Sequence, residues 1–106
     1  MSQFEERKNQ QEAKFVLDAA KEFKAEAKRN KALGHWAAGL MGKSEGEAEK
    51  YALEVIKADM EEIGDNDVFR KLRADLTHAN CEIGDEAIRD RMAVELRAAR
   101  EEVYGS

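Results

Sequence analysis

Apolar residues recur along this chain in steps of three and four, the spacing that places side chains on one face of an α-helix. Val16, Ala19, Ala20, Phe23, Ala27, Leu33, Ala37 and Leu40 form one such stripe, with Trp36 beside it as the expected core aromatic. The stripe predicts a long first helix from beyond Phe4 to about Met41, stopped by Gly42. Ser44 followed by Glu47 matches a capping box and opens a second helix. Its apolar face is Ala48, Tyr51, Ala52, Val55, Ile56, Met60 and Ile63, with Gly64 as its end. Asp65 or Asp67 is placed to cap a third helix, lined by Val68, Phe69, Leu72 and Leu76 and fading near Asn80. After a break at Ile83-Gly84-Asp85, Asp85 can cap a fourth helix striped by Ile88, Met92, Leu96, Ala99 and Val103. No stretch alternates as a strand does. The pattern predicts an all-α fold, a four-helix bundle.

The first residues stand outside this scheme. Residues 1–14 hold only Met1, Phe4 and Ala13 as apolar groups, too little surface to offset the entropy of ordering them. This stretch is therefore expected to be a weakly structured N-terminal arm. Composition agrees with helices: the 106 residues include no proline, and 39% are charged. Lys and Arg number 18 against 23 Asp and Glu, a formal net charge of −5, which argues against a nucleic-acid partner. No apolar run approaches the ~20 residues of a membrane span, and no apolar segment marks a signal peptide. A single cysteine makes no internal disulfide, so a cytoplasmic protein is expected. Charge is uneven: residues 1–43 carry +3 and residues 44–106 carry −8. A basic arm on an acidic bundle suggests a partner for the arm.

Few residues suggest catalysis. Ala37 to Ser44 fits a relaxed phosphate-loop pattern, but a helix rather than a strand leads into it, and the chain is too short for the sheet such loops need. Gly42, Lys43 and Ser44 are thus a helix stop followed by a helix start, with weak anion or nucleotide binding as the alternative. His35 and His78 lack zinc spacing, and Cys81 has no second cysteine beside it. Asp65-Asn66-Asp67 opens like a calcium loop but lacks the later glycine and glutamate. No enzyme, metal site or bound cofactor is expected.

A longer pattern is more specific. Glu12-Ala13-Lys14-Phe15, Asp18-Ala19, Phe23-Lys24-Ala25 and Ala27-Lys28-Arg29-Asn30-Lys31 lead into Leu33-Gly34-His35-Trp36-Ala37-Ala38-Gly39-Leu40-Met41-Gly42. Tyr51-Ala52, Val55, Asp59, Gly64, Asp67-Val68-Phe69-Arg70-Lys71-Leu72 and Asp75-Leu76 follow in order. This series resembles the alphaproteobacterial zeta subunit, the small inhibitor of the F-type ATP synthase. The likeness covers nearly the whole chain and thins after Asn80. The sequence departs from it at Lys21 and Ala32, where leucines are usual, and at Val16-Leu17.

The resemblance implies a four-helix bundle, residues 19–106, whose flexible N-terminal arm, residues 1–18, enters a catalytic αβ interface of the ATPase head and blocks hydrolytic rotation. It implies contacts to the alpha, beta and gamma subunits from Phe4, Arg7, Glu12, Lys14 and Phe15, which match the family pattern, and Lys8, Gln11 and Asp18 of the same arm are further candidate contacts. In physical terms an amphipathic arm can fold into a groove with Phe4 and Phe15 as anchors. Arg7, Lys8 and Lys14 can meet acids at its rim. The free protein is then expected to be a monomer, cytoplasmic, and peripheral to the inner membrane when bound. Two alternatives are a small nucleotide- or anion-binding regulatory module at Gly42, Lys43 and Ser44, and an interaction scaffold for another partner.

Overall fold

The structure is a computed structural model that describes the backbone of residues 2–60 and 64–105, and the side chains of 19–60 and 64–105. Among the described residues four helices and no strand occur: α1 (Ser2–Leu40), α2 (Glu45–Asp59), α3 (Asn66–His78) and α4 (Asp85–Tyr104). The all-α four-helix fold expected from periodicity is the fold observed. Helix α1 begins at Ser2, ahead of the expected start. The side chains of residues 1–18, on which the expected arm and its boundary depend, lie outside the described residues.

Two helix ends are built alike. Gly42 takes φ +76° after α1, and the amides of Gly42 and Lys43 donate to the carbonyls of Gly39 (3.2 Å) and Ala38 (2.9 Å). After α3, Asn80 takes φ +60°, and the amides of Asn80 and Cys81 donate to Thr77 (3.0 Å) and Leu76 (2.9 Å). Both are Schellman closures, which satisfy carbonyls left open by the helix end. Asn80 stands where glycine is commoner, and asparagine tolerates that backbone better than most residues. Ser44 caps α2 as expected: its Oγ accepts from the Glu47 amide at 3.3 Å and bonds the Glu47 carboxylate at 3.1 Å.

Other expected ends move. Helix α2 stops at Asp59, with Met60 as its cap residue, well before Gly64; Ile63 lies outside the described residues. Asp65 precedes α3 without a side-chain cap bond and accepts instead from Arg89 at 3.3 Å. Gly84, not Asp85, occupies the N-cap of α4. Asp85 is drawn to Arg73 at 2.9 Å, and the same guanidinium donates to the Ile83 carbonyl at 2.6 Å. These cross-loop arginine bonds outcompete local capping.

The main core joins Leu33, Ala37 and Ala38 of α1 to Ala48, Tyr51 and Val55 of α2, Val68, Leu72 and Leu76 of α3, and Ile88 and Met92 of α4. Trp36 is half-buried against this cluster with Met41, Phe69, Cys81 and Ile83, and the Arg91 guanidinium lies 5.6 Å from its ring. Trp36 thus flanks the core rather than filling it. Gly34 makes the closest crossing: a Cβ there would stand 2.5 Å from the Ala52 Cα and 2.9 Å from its Cβ. A second, small cluster joins Ala25 of α1 to Ala99 and Val103 of α4.

Helix α1 departs most from expectation. Ala19, Ala20 and Phe23, read as core positions, are exposed, as is Leu40, while Ala27 is half-buried. Ala25, Arg29 and Asn30 are buried instead, while Leu33 and Ala37 of the expected stripe are buried as read. Arg29 lies 3.4 Å from the Asp59 carboxylate, and Asn30 donates to it at 2.9 Å. Leu96 is half-buried, and Met60 is exposed. The cause is composition: alanines occur on several faces of α1, and a polar triad claims the buried one.

Candidate partner-binding surface

The eight positions proposed to meet a partner, Phe4, Arg7, Lys8, Gln11, Glu12, Lys14, Phe15 and Asp18, all fall within α1. Their side chains lie outside the described residues. The expected basic character resolves differently along that helix. Residues 1–18 hold Arg7, Lys8 and Lys14 against Glu5, Glu6, Glu12 and Asp18, so the positive excess belongs to residues 19–43. There Arg29 is consumed by Asp59, Lys28 pairs with Glu102 at 2.8 Å, and Lys21 lies 5.7 Å from the Tyr104 ring.

The base of α1 is fastened to the end of α4 by charge. Arg100 donates to both Glu22 carboxylate oxygens, the shortest contact being 2.6 Å, and the Tyr104 hydroxyl bonds the same group at 3.1 Å. The Arg100 bonds hold the Glu22 carboxyl below its usual pKa, although burial opposes them. One turn on, Glu26 behaves oppositely. Burial and then the nearby Asp59 charge raise its pKa, and among the described residues it has no hydrogen bond or ion pair.

The α1–α2 turn has the geometry of a helical hairpin. Gly42 closes α1, Ser44 caps α2, and Lys43 lies 5.9 Å from the Tyr51 ring. Ser44 Oγ is committed to Glu47, and the first turn of α2 carries Glu45 and Glu47, charges that oppose an anion there. Nearby, Tyr51 donates to Asp75 at 2.7 Å, and Lys71 bridges Asp75 (3.1 Å) and Glu54 (3.6 Å). Burial, reinforced by Asp75, pushes the Tyr51 phenol far above its ordinary pKa. It is a structural hydrogen-bond donor. His35 pairs with Glu49 at 3.1 Å, and the Cys81 thiol donates to the Leu40 carbonyl at 3.3 Å. No group of three or more metal-ligating side chains occurs among the described residues. No described helix is long and apolar enough to cross a membrane.

Sequence reasoning missed a feature of this region. Phe23 and Met60, both assigned to the core, are exposed and share a groove with Glu26, Ala27, Asn30, Ile56 and Asp59. The available signal was the i,i+4 row Phe15-Ala19-Phe23-Ala27, which is separate from the row Ala25-Arg29-Leu33.

Helices α1 and α2 form a helical hairpin, and α3 and α4 pack on it to complete a four-helix domain. The chain belongs to the ATPase inhibitor subunit zeta family, whose model matches residues 1–102. It is also similar to a protein whose structure was determined in solution by NMR. The two are 41% identical, with a TM-score of 0.68, and the match covers 78% of this chain and 94% of the other. No curated protein matches the chain.

Proposed function

We propose that this protein restrains ATP hydrolysis by the F-type ATP synthase by inserting its N-terminal segment into a catalytic αβ interface, against the gamma subunit. The observation that carries this reading is the extent of the family match, which runs from residue 1 through the whole N-terminal segment to residue 102. Phe4 and Phe15 serve as apolar anchors. Arg7, Lys8, Gln11, Glu12, Lys14 and Asp18 set encounter and register. Because α1 continues into the main core through Leu33, Ala37 and Ala38, the bundle acts as a rigid stop outside the groove. The chain works without catalysis, cofactor or metal of its own, is a monomer when free, and reaches the membrane surface only through the enzyme.

The test compares the full chain with one lacking residues 1–14 in an ATP hydrolysis assay on the cognate enzyme. The truncation should abolish inhibition and leave the melting curve nearly unchanged. Amides 2–12 should gain protection from solvent exchange in the complex. Full inhibition by the truncated chain would move the function to another surface.

A further inference from the structure

Phe23 exposes 61% and Met60 66% of its surface, and one shallow groove between α1 and α2 is lined by both. Half-buried Ala27 and Ile56 complete its apolar wall, and Glu26, Asn30 and Asp59 its polar edge. Two of these polar groups are satisfied within the fold, because Asn30 donates to Asp59 at 2.9 Å and Arg29 faces the same carboxylate at 3.4 Å. Glu26 has no such partner among the described residues, and it is partly desolvated beside Asp59. Apolar surface in water and a partly desolvated carboxylate, which Arg29 and Arg100 offset only in part and without a direct ion pair, both raise the free energy of the free chain. One kind of occupant relieves both: an apolar side chain with an arginine or lysine beside it.

The position of the groove indicates where that occupant comes from. Phe15, Ala19, Phe23 and Ala27 follow one another at four-residue steps, which makes them neighbours along one helical row. Phe23 stands two steps beyond Phe15, about 12 Å along the axis at 1.5 Å per residue. A partner that seats Phe15 is therefore carried up to Phe23. We infer that the groove of Phe23, Ile56 and Met60, with Glu26 at its edge, is a second docking surface for the catalytic head of the ATPase. An apolar side chain of the head packs across the groove's exposed Phe23 and Met60, flanked by a basic one. This rests on the proposed insertion of the N-terminal segment, which brings the head to the groove.

The experiment measures ATP hydrolysis by the cognate enzyme against increasing full-length protein, using the F23S/M60S double variant, Glu26→Gln, Glu26→Lys and Phe4→Ala. The double variant should raise the half-inhibitory concentration about tenfold or more, as loss of interface anchors does, with an unchanged melting curve because both side chains are exposed. Glu26→Lys should raise it more than Glu26→Gln, since it adds repulsion to the loss of attraction. In wild-type protein carrying 13C-methyl methionine, the Met60 methyl signal should shift or broaden when the head is added. If Phe4→Ala weakens inhibition while the groove variants and the Met60 signal do not change, the groove inference fails and the proposed function stands. If the full chain does not inhibit at all, both fail. Groove variants that alter only self-association of the free chain, by sedimentation, would assign the surface to a second copy and overturn the inference.

Discussion

The two ends of the bundle are held by different forces. At one end, Leu33, Tyr51, Val55, Val68, Leu72, Leu76, Ile88 and Met92 from four helices share one buried cluster. At the other, α1 meets α4 through Ala25, Ala99 and Val103, side chains too small to bury much area, with Glu22–Arg100 and Lys28–Glu102 at the margin. Area burial is insensitive to salt and mild acid, whereas exposed ion pairs contribute little and are screened. The alanine end should open first. It is also the end that leads into the segment proposed to engage the ATPase, so rigidity and engagement are divided along a single helix.

The strongest way to break this contrast is to cut into each end. Leu72→Ala removes a fully buried side chain and should cost about 2–5 kcal/mol in urea unfolding. A loss under about 1 kcal/mol, the range of a surface change, would mean the four-helix cluster is not the main source of stability. Gly34→Ala comes next. Alanine favours helix over glycine, but its Cβ would meet the Ala52 backbone at 2.5 Å, so α1 and α2 must separate. A net destabilisation of about 1–3 kcal/mol is expected, and a rise in melting temperature would show that the crossing yields freely. Tyr51→Phe removes the bond to Asp75 and should cost about 0.5–1.5 kcal/mol, or more because the acceptor is charged.

The smallest effects sharpen the comparison at the alanine end, where two glutamates one turn apart should respond in opposite directions. Glu22 has its folded pKa lowered by Arg100. It therefore supports the fold above the ordinary carboxyl range, and this support is lost as pH falls through the lowered value. Glu26 has its folded pKa raised by burial and Asp59, so its charge opposes folding above that range and the opposition fades as pH falls. Glu22→Gln should lower the melting temperature slightly at neutral pH and flatten its acid dependence. Glu26→Gln should leave it unchanged or raise it. Hydrogen exchange at neutral pH should show amides 22–28 opening more readily than amides 68–76; equal protection would remove the distinction between the ends.

Much of the molecule was determined by the sequence alone. Periodicity located all four helices, Gly42 and the Ser44–Glu47 pair marked the first hairpin, and every buried position of α3 and α4 lies on its expected stripe. Those signals are local, because capping and amphipathicity are set within one or two turns. The pattern from Glu12 through Gly42 likewise carried the family, since the order of residues needs no coordinates. Leu33 and Ala37 were read correctly, but only the tertiary structure decided which face of α1 turns inward between residues 19 and 30. Alanines at 19, 20, 25 and 27 give a weak periodic signal, so the choice fell to Arg29 and Asn30 meeting Asp59 on α2. That contact spans 29 residues, and Phe23 and Met60 stay in solvent along the groove that Glu26 edges. Asp65 and Asp85 were drawn from capping in the same way, by arginines on other elements. A charge pair between distant segments cannot be read from spacing, because its energy depends on where folding has already placed both partners.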